Sequence, residues 1–290
     1  MVDRAPTSAA AFWRLPSIRE VAVRALVRRA RPGWTRSLLE ADLADIETFA
    51  PPRLLAPPVE PGKLAIVAPH PDDESIGCGG LALAWRRGGG TTRVYFLTRG
   101  ERGDPRIRNG AIPRRQRDAY RQHLIKTREG EANAAVGVLG AEAEWLPGRD
   151  GELHAGVDAL AGTLAKRWQD QLPDAIAAPF PFDRHSDHAA AARIVAKASA
   201  VLPGNTPVWS YEVWSPAIIN AVLDITDVAD EKRRAIESYA SQLATTNYLV
   251  GAEALNRFRA VASGLGNRIA EGYYLTSVSR YKAITDRLEL

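Results

Sequence analysis

Residues 64–74 of the chain read LAIVAPHPDDE. The first five residues form a short, continuous apolar run, which is typical of a strand buried in a parallel sheet. A histidine and three acidic residues follow where such a strand would end. The same arrangement returns later, because the apolar residues 175–180 precede DRHSDH at 183–188. The sequence therefore predicts two buried strands, each followed by a loop rich in His and Asp.

Strand-like and helical patterns alternate around these two segments. Further strands are predicted at 93–97 and 144–146, and helices at 76–87, 113–139, 157–171 and 187–202. After residue 205 the pattern is mixed, with strands predicted at 208–214, 222–226 and 273–278 and helices at 229–243 and 252–263. Alternating strands and helices predict an α/β fold, a mostly parallel sheet with helices on both faces, followed by a mixed C-terminal region.

The first 62 residues differ from the rest of the chain. Ser17 and Glu20 form a capping box, and apolar residues at helical spacing follow it up to residue 26. Prolines crowd residues 51–61 and predict a stiff, extended connector. We therefore expect a helical arm with its connector over 1–62 and the main domain over 63–290. The arm helix would pack on the main domain, pack on a second subunit in a homo-oligomer, or lie on a membrane surface.

Composition narrows the class of protein. The 290 residues are 46% hydrophobic and 25% charged, as in soluble globular proteins. No run reaches the roughly 20 apolar residues that a transmembrane segment needs, and no signal-peptide core is visible. The single cysteine, Cys78, excludes an internal disulfide and a multi-cysteine metal site. These features predict a cytoplasmic protein.

Positive charge is concentrated in two places. The formal net charge is only +4, yet residues 1–35 and residues 99–128 are both strongly basic. The second stretch is either a solvated loop and helix face or a positive rim that attracts an anionic substrate. No helix-turn-helix, zinc-finger or aromatic RNA-binding pattern accompanies this charge, so no nucleic-acid partner is predicted.

The two polar loops are expected to meet, because ligands in open parallel sheets bind at the carboxyl ends of the strands. Imidazole nitrogens and a carboxylate suit a borderline divalent cation, and two His with one carboxylate leave positions open. His70 and Asp73 can reach one cation from the first loop, and His188 can reach it from the second. Zn²⁺ is the expected ion, although Fe²⁺, Co²⁺ or Ni²⁺ would accept the same ligands.

Two further side chains in these loops suit proton transfer. Asp72 can take a proton from a metal-activated water and return it to a leaving amine. His185 can stabilise a tetrahedral oxyanion or help to protonate the leaving group. Taken singly, each loop could be a solvated turn or a helix N-terminus, where acidic residues are favoured. Their joint placement after apolar strands favours a catalytic site.

HPDDE at 70–74 and HSDH at 185–188 resemble the two signature motifs of the PIG-L/LmbE-like family of zinc-dependent N-acetylglucosamine deacetylases. Segments at 98–101 and 128–140 also resemble family segments, so the likeness covers about 63–195. The resemblance implies a Rossmann-like fold and hydrolysis of an N-acetyl group. By motif position it implies zinc ligands at His70, Asp73 and His188, a general base at Asp72, an acid or oxyanion helper at His185 and a substrate contact at Arg128.

The predicted protein is thus a zinc-dependent N-deacetylase. It would remove an acetyl or similar acyl group from an N-acylated amino sugar, either a small molecule or a glycoconjugate, with an anionic substrate as one option. The alternative enzyme is an amidase acting on a thiol conjugate of an amino sugar. A binding protein with an inactive metal site is disfavoured by Asp72, because holding a metal does not need that additional acid.

Three other features have open interpretations. Trp209 and Tyr211 lie on one face of a predicted strand, where they are either core residues or a platform for a sugar ring. Residues 238–242, SYASQ, resemble a C-terminal pattern of the same family and are expected to form a pocket wall or a dimer surface. Glu74 is expected to cap a helix or support the site, and Asp187 to orient a histidine.

Overall fold

The structure is a computed structural model, and it describes residues 52–56 and 62–287. The helix predicted in the N-terminal arm, over 17–26, lies outside the described residues. Part of the predicted connector is described and forms a short strand, which is the first strand of the sheet. None of the helices in the described part is both long enough and apolar enough to cross a bilayer.

The described residues contain one mixed sheet. Its strands are β1 (Arg53–Leu55), β2 (Lys63–Ala68), β3 (Thr91–Phe96), β4 (Glu142–Trp145), β5 (Ala175–Pro179), β6 (Pro207–Tyr211), β7 (Ala221–Asp224) and β8 (Ala270–Ser277). Their order across the sheet is β1-β7-β8-β6-β5-β2-β3-β4. β8 runs antiparallel to β6 and β7, and the other pairings are parallel. The prediction of a mostly parallel sheet is confirmed.

Helices cover both faces of this sheet. They are α1 (Asp73–Arg87), α2 (Arg117–Leu139), α3 (Val157–Asp170), α4 (Ser186–Ala198), α5 (Ala229–Glu237), α6 (Tyr248–Ala262) and α7 (Val278–Arg287). Shorter helical turns are Pro105–Arg108, Arg114–Gln116, Leu153–Gly156, Ser199–Val201, Thr226–Val228 and Ala240–Leu243. The single helix predicted over 229–243 is interrupted at 238–239, and the helix predicted from 252 begins earlier, at Tyr248.

The place of β2 in the sheet explains why residues 64–68 are all apolar. Leu64 and Ile66 pack in the core beneath α1 and α2, whereas Ala65 and Val67 pack in the core beneath α3 and α4. Both faces of the strand are therefore buried, and the alternation of a half-exposed strand is absent.

The position of the site follows from the strand order. β2 pairs with β3 on one side and with β5 on the other, and all three are parallel. The chain runs from β2 outward to β3 and β4, then returns across the sheet to β5. Ligands bind at such a reversal, beyond the carboxyl ends of the strands. The loops after β2 and β5, which carry the two motifs, leave the sheet side by side at this point.

Candidate active site

Asp72 connects β2 to α1 in an unusual backbone conformation. Its φ is 112° and its ψ is −32°, and it is the only non-glycine residue with positive φ in the described part of the chain. Such a conformation costs of order 1–3 kcal/mol and persists only where neighbouring contacts enforce it. Its N–H donates to Glu74 Oε2 at 3.0 Å, and its carbonyl accepts from the Ile76 N–H at 2.9 Å.

His70 is surrounded by carboxylates. Its Nδ1 lies 3.1 Å from Asp73 Oδ2, and the same oxygen accepts the His70 backbone N–H at 2.9 Å. Its Nε2 lies 3.1 Å from Asp187 Oδ2 and 3.5 Å from Asp150 Oδ1. The imidazole is thus fixed from both ends.

The second motif begins α4. His185 is the N-cap residue, and its Nδ1 accepts the Asp187 N–H at 3.2 Å. His188 lies in the first turn of the helix and is fully buried. Its Nε2 lies 3.2 Å from Asp73 Oδ2, and its Nδ1 lies 3.4 Å from Asp183 Oδ2. One oxygen of Asp73 therefore lies between an imidazole from each of the two loops.

The described residues fit a divalent cation at this place. His70, His185 and His188 each offer a ring nitrogen, and these nitrogens lie within 4.8 Å of one another. Both nitrogens of His188 are buried, and neither makes a well-aligned hydrogen bond among the described residues, although carboxylate oxygens lie 3.2 and 3.4 Å away. His70 and His188 each direct one nitrogen to Asp73 and the other to a further carboxylate, the arrangement typical of metal-binding histidines. The assignment of His70, Asp73 and His188 as ligands stays a prediction.

Electrostatics hold this cluster in a charged state. Burial lowers the pKa of His188, but the attraction of Asp73 and Asp183 outweighs burial and raises the pKa to about 9. Burial raises the pKa of Asp73, but the charges of His188 and His70 have the larger effect, so the pKa is lowered overall. Asp73 therefore stabilises positive charge in the groups around it, and a bound cation would supply that charge with both imidazoles neutral.

Asp72 lies beside this cluster with a different electrostatic environment. Burial raises its pKa, Arg128 opposes the shift and Asp73 adds to it, so the pKa reaches about 8. Arg128 Nη2 donates to Asp72 Oδ2 at 3.1 Å. The other contacts of the guanidinium are the carbonyls of Gly100, at 3.0 Å, and Pro71. Arg128 is only 2% exposed, and the side chain that it contacts in the structure is that of Asp72. Its contact with a substrate stays a prediction.

Trp214 forms an exposed wall beside His185. The indole stacks on the imidazole with centroids 5.8 Å apart, and Tyr248 meets it edge-on at 5.7 Å. Trp214 is 48% exposed, whereas Trp209 and Tyr211 are 7% and 0% exposed. The core interpretation of Trp209 and Tyr211 is correct, and the sugar-platform interpretation of that pair is wrong, because β6 is covered on both faces.

Asp150 belongs to the site although the sequence motifs do not include it. It is buried beside His70, whose hydrogen bond lowers the pKa of Asp150 against the opposite effect of burial. Asp150 follows β4, a third parallel strand, so the rule that located the two motif loops could also have located it.

Part of the basic stretch 99–128 is paired. Arg99 bonds to Glu129, Arg106 to Asp104 and Arg121 to Asp118. The attraction of this stretch for an anionic substrate stays a prediction, with only part of its charge balanced by these pairs.

Comparisons with known proteins agree with this geometry. Residues 65–199 match the PIG-L family, described as GlcNAc-PI de-N-acetylase. A probable N-acetyl-alpha-D-glucosaminyl L-malate deacetylase 2 of Bacillus anthracis is 29% identical over 193 residues, which cover 62% of this chain and 81% of that protein.

Solved structures extend the likeness over more of the chain. A conserved protein from Thermus thermophilus is 26% identical with a TM-score of 0.59, covering 73% of this chain and 94% of that one. The N,N'-diacetylchitobiose deacetylase of Pyrococcus horikoshii has a TM-score of 0.64 over 87% of this chain and 96% of its own, at 20% identity, and so shares the fold. Residues 65–199 therefore match the PIG-L family, and the chain shares its fold with solved deacetylase structures.

Proposed function

We propose that the protein is a metal-dependent amide hydrolase that removes an acetyl or similar acyl group from an N-acylated amino sugar. One observation carries this proposal. Asp73 Oδ2 lies within 3.2 Å of nitrogens of both His70 and His188, with the carboxylate of Asp72 next in the chain. A cation-binding group and a proton acceptor thus lie side by side. The named activities of the Bacillus anthracis and Pyrococcus horikoshii proteins support an N-acetylglucosamine moiety as substrate.

His70, Asp73 and His188 would hold the cation, and Zn²⁺ suits these donors best. A divalent cation bound there would polarise an amide carbonyl and lower the pKa of water. The charge of the bound cation would lower the pKa of Asp72, whose carboxylate would then take the proton from the attacking water and deliver it to the leaving amine nitrogen. The hydrogen bond from Arg128 keeps the Asp72 carboxylate oriented during both transfers.

His185 is set up as a hydrogen-bond donor. Burial lowers the pKa of His185, which favours the neutral imidazole. Its Nδ1 accepts the Asp187 N–H, which assigns the ring proton to Nε2. That Nε2–H can donate to the oxyanion that forms when the carbonyl is attacked.

The alternative substrate class is a thiol conjugate of an amino sugar, whose amide would be cleaved by the same residues. The protein is not expected to bind nucleic acid. A homo-oligomer, a cytoplasmic location and an anionic substrate remain predictions from the sequence.

The test begins with metal analysis of the purified protein, followed by acetate release from a panel of N-acetylated glycosides and thiol-conjugated amino sugars. We expect bound zinc, acetate release that stops on chelation and its return when zinc is added. Release of the amine from thiol conjugates alone would select the alternative. A protein that binds no divalent metal and cleaves no member of the panel would contradict the proposal.

Replacing Trp214 with alanine should raise KM about fivefold, because an aromatic face contributes about 1 kcal/mol of stacking to a bound ring. Trp214→Phe should stay near the wild-type KM, since it keeps an aromatic face beside His185. Leu172→Ala is the control, because Leu172 is similarly exposed. It lies before β5, at the amino end of the strand, whereas the site lies beyond the carboxyl ends. A fall in kcat at unchanged KM would show instead that Trp214 only supports His185.

A further inference from the structure

Glu74 is a buried acceptor that the proposed chemistry does not use. It is fully buried, and three groups donate to its carboxylate. The Asp72 N–H donates to Oε2 at 3.0 Å, while the hydroxyls of Ser75 and Tyr239 donate to Oε1 at 2.5 and 2.7 Å. A carboxylate with this number of donors is fixed in place on both of its oxygens.

The contact with Asp72 acts on the backbone rather than on the reacting carboxylate. Asp72 adopts a positive φ that an aspartate rarely adopts. In this conformation its N–H points toward the carboxylate of Glu74, which follows Asp73 in α1. The hydrogen bond therefore opposes relaxation of Asp72 to an ordinary conformation, which would move its carboxylate away from the cluster.

Tyr239 reaches Glu74 from a distant part of the chain. It lies in SYASQ at 238–242, beyond the residues that match the family, at the interruption between α5 and the turn Ala240–Leu243. Tyr239 is fully buried, and its hydroxyl ends at Glu74. The interruption has a structural use, since it allows the ring to enter the core.

The same segment also binds the helix that carries Arg128. The N–H and the hydroxyl of Ser241 both donate to the carboxylate of Glu131, each at 2.7 Å. Glu131 lies one turn after Arg128 in α2. SYASQ thus ties together the two elements that contact Asp72, the start of α1 through its backbone and α2 through its carboxylate.

We propose that Tyr239 and Glu74 form a brace that positions Asp72 for proton transfer. Both are positioning residues, because neither reaches the reacting atoms and each acts through Asp72. The inference rests on the proposed function for its kinetic test. Its structural part, the restraint on the Asp72 backbone, stands independently of that function.

The kinetic test compares four variants at full metal occupancy. Tyr239→Phe removes one donor, and Glu74→Leu removes every contact, so both should lower kcat, by roughly tenfold and a hundredfold, with KM unchanged. Glu74→Gln keeps an oxygen for the Asp72 N–H and an amide that can donate to the hydroxyl oxygens, so its kcat should stay within about threefold of wild type. Tyr281→Phe is the matched control, since it removes a buried hydroxyl bonded to Pro179 at 3.3 Å, and its kcat should not change.

Deuterium exchange gives a readout that does not depend on activity. In the metal-free protein, the peptide covering 69–76 should exchange faster in Tyr239→Phe than in wild type or Tyr281→Phe. Unchanged exchange together with wild-type kcat in Tyr239→Phe would overturn the brace, even if Glu74→Leu fails to fold. A loss of zinc that accounts for the whole fall in kcat would also overturn it. A wild-type protein inactive on the whole panel would instead refute the proposed function and leave the exchange result standing.

Discussion

Asp72→Ala should lower kcat by about 10²- to 10⁴-fold, the contribution of a well-placed general base, while zinc stays bound. The physical reason is that the variant removes the nearest proton acceptor and leaves His70, Asp73 and His188 in place. KM should change little, since Asp72 acts on the attacking water and the leaving nitrogen. Steady-state kinetics together with zinc content measured on the same preparation checks this result.

Two companion variants separate the base from the backbone. Asp72→Asn keeps the size and the hydrogen bond from Arg128 in one orientation but cannot accept the proton, so it should be as inactive as Asp72→Ala. Asp72→Gly should be equally inactive but more stable than Asp72→Ala by about 1 kcal/mol, because glycine adopts a positive φ without strain. Urea unfolding measures that difference. Turnover at the wild-type rate in Asp72→Ala would remove the assignment of the base.

The fold was predictable where the sequence carries a local pattern. The apolar run at 64–68 indicates a strand buried on both faces, and the structure buries alternate residues of β2 in two separate cores. The meeting of the two motif loops was also predictable. It requires only that β2 and β5 be parallel neighbours, which follows from the general behaviour of open sheets.

The rest of the site depends on contacts that no local pattern encodes. Tyr239, for example, approaches Glu74 from 165 positions away. The aromatic residues of β6 show the same limit. Period-two spacing places Trp209 and Tyr211 on one face of the strand but does not reveal that this face is covered. Trp214 follows in the irregular loop, where spacing gives no information, and it is the exposed one.

His188→Ala should weaken zinc binding by more than about 100-fold, because it removes a ligand, whereas loss of a supporting partner costs 10- to 100-fold. Asp183→Asn provides that smaller case, since Asp183 lies 3.4 Å from His188 Nδ1. His123→Ala and His154→Ala are the controls, because both residues are exposed and lie outside the cluster. Competition with a chelator of known affinity measures the dissociation constants.

This series also decides between two places for the cation. Besides the group with His185 and His188, His70 forms a second possible ligand group with Asp150 and Asp187 on its Nε2 side. His70→Ala should abolish binding at either place, so it does not discriminate. His188→Ala damages only the first place, and Asp150→Asn acts most strongly on the second. We expect His188→Ala to be the more severe, since Asp187 Oδ2 is already engaged by the Gly151 N–H at 2.6 Å, while nitrogens of His188 and His70 both lie within 3.2 Å of the predicted ligand Asp73 Oδ2. Tighter zinc binding by His188→Ala than by Asp150→Asn would move the cation to the Nε2 side of His70.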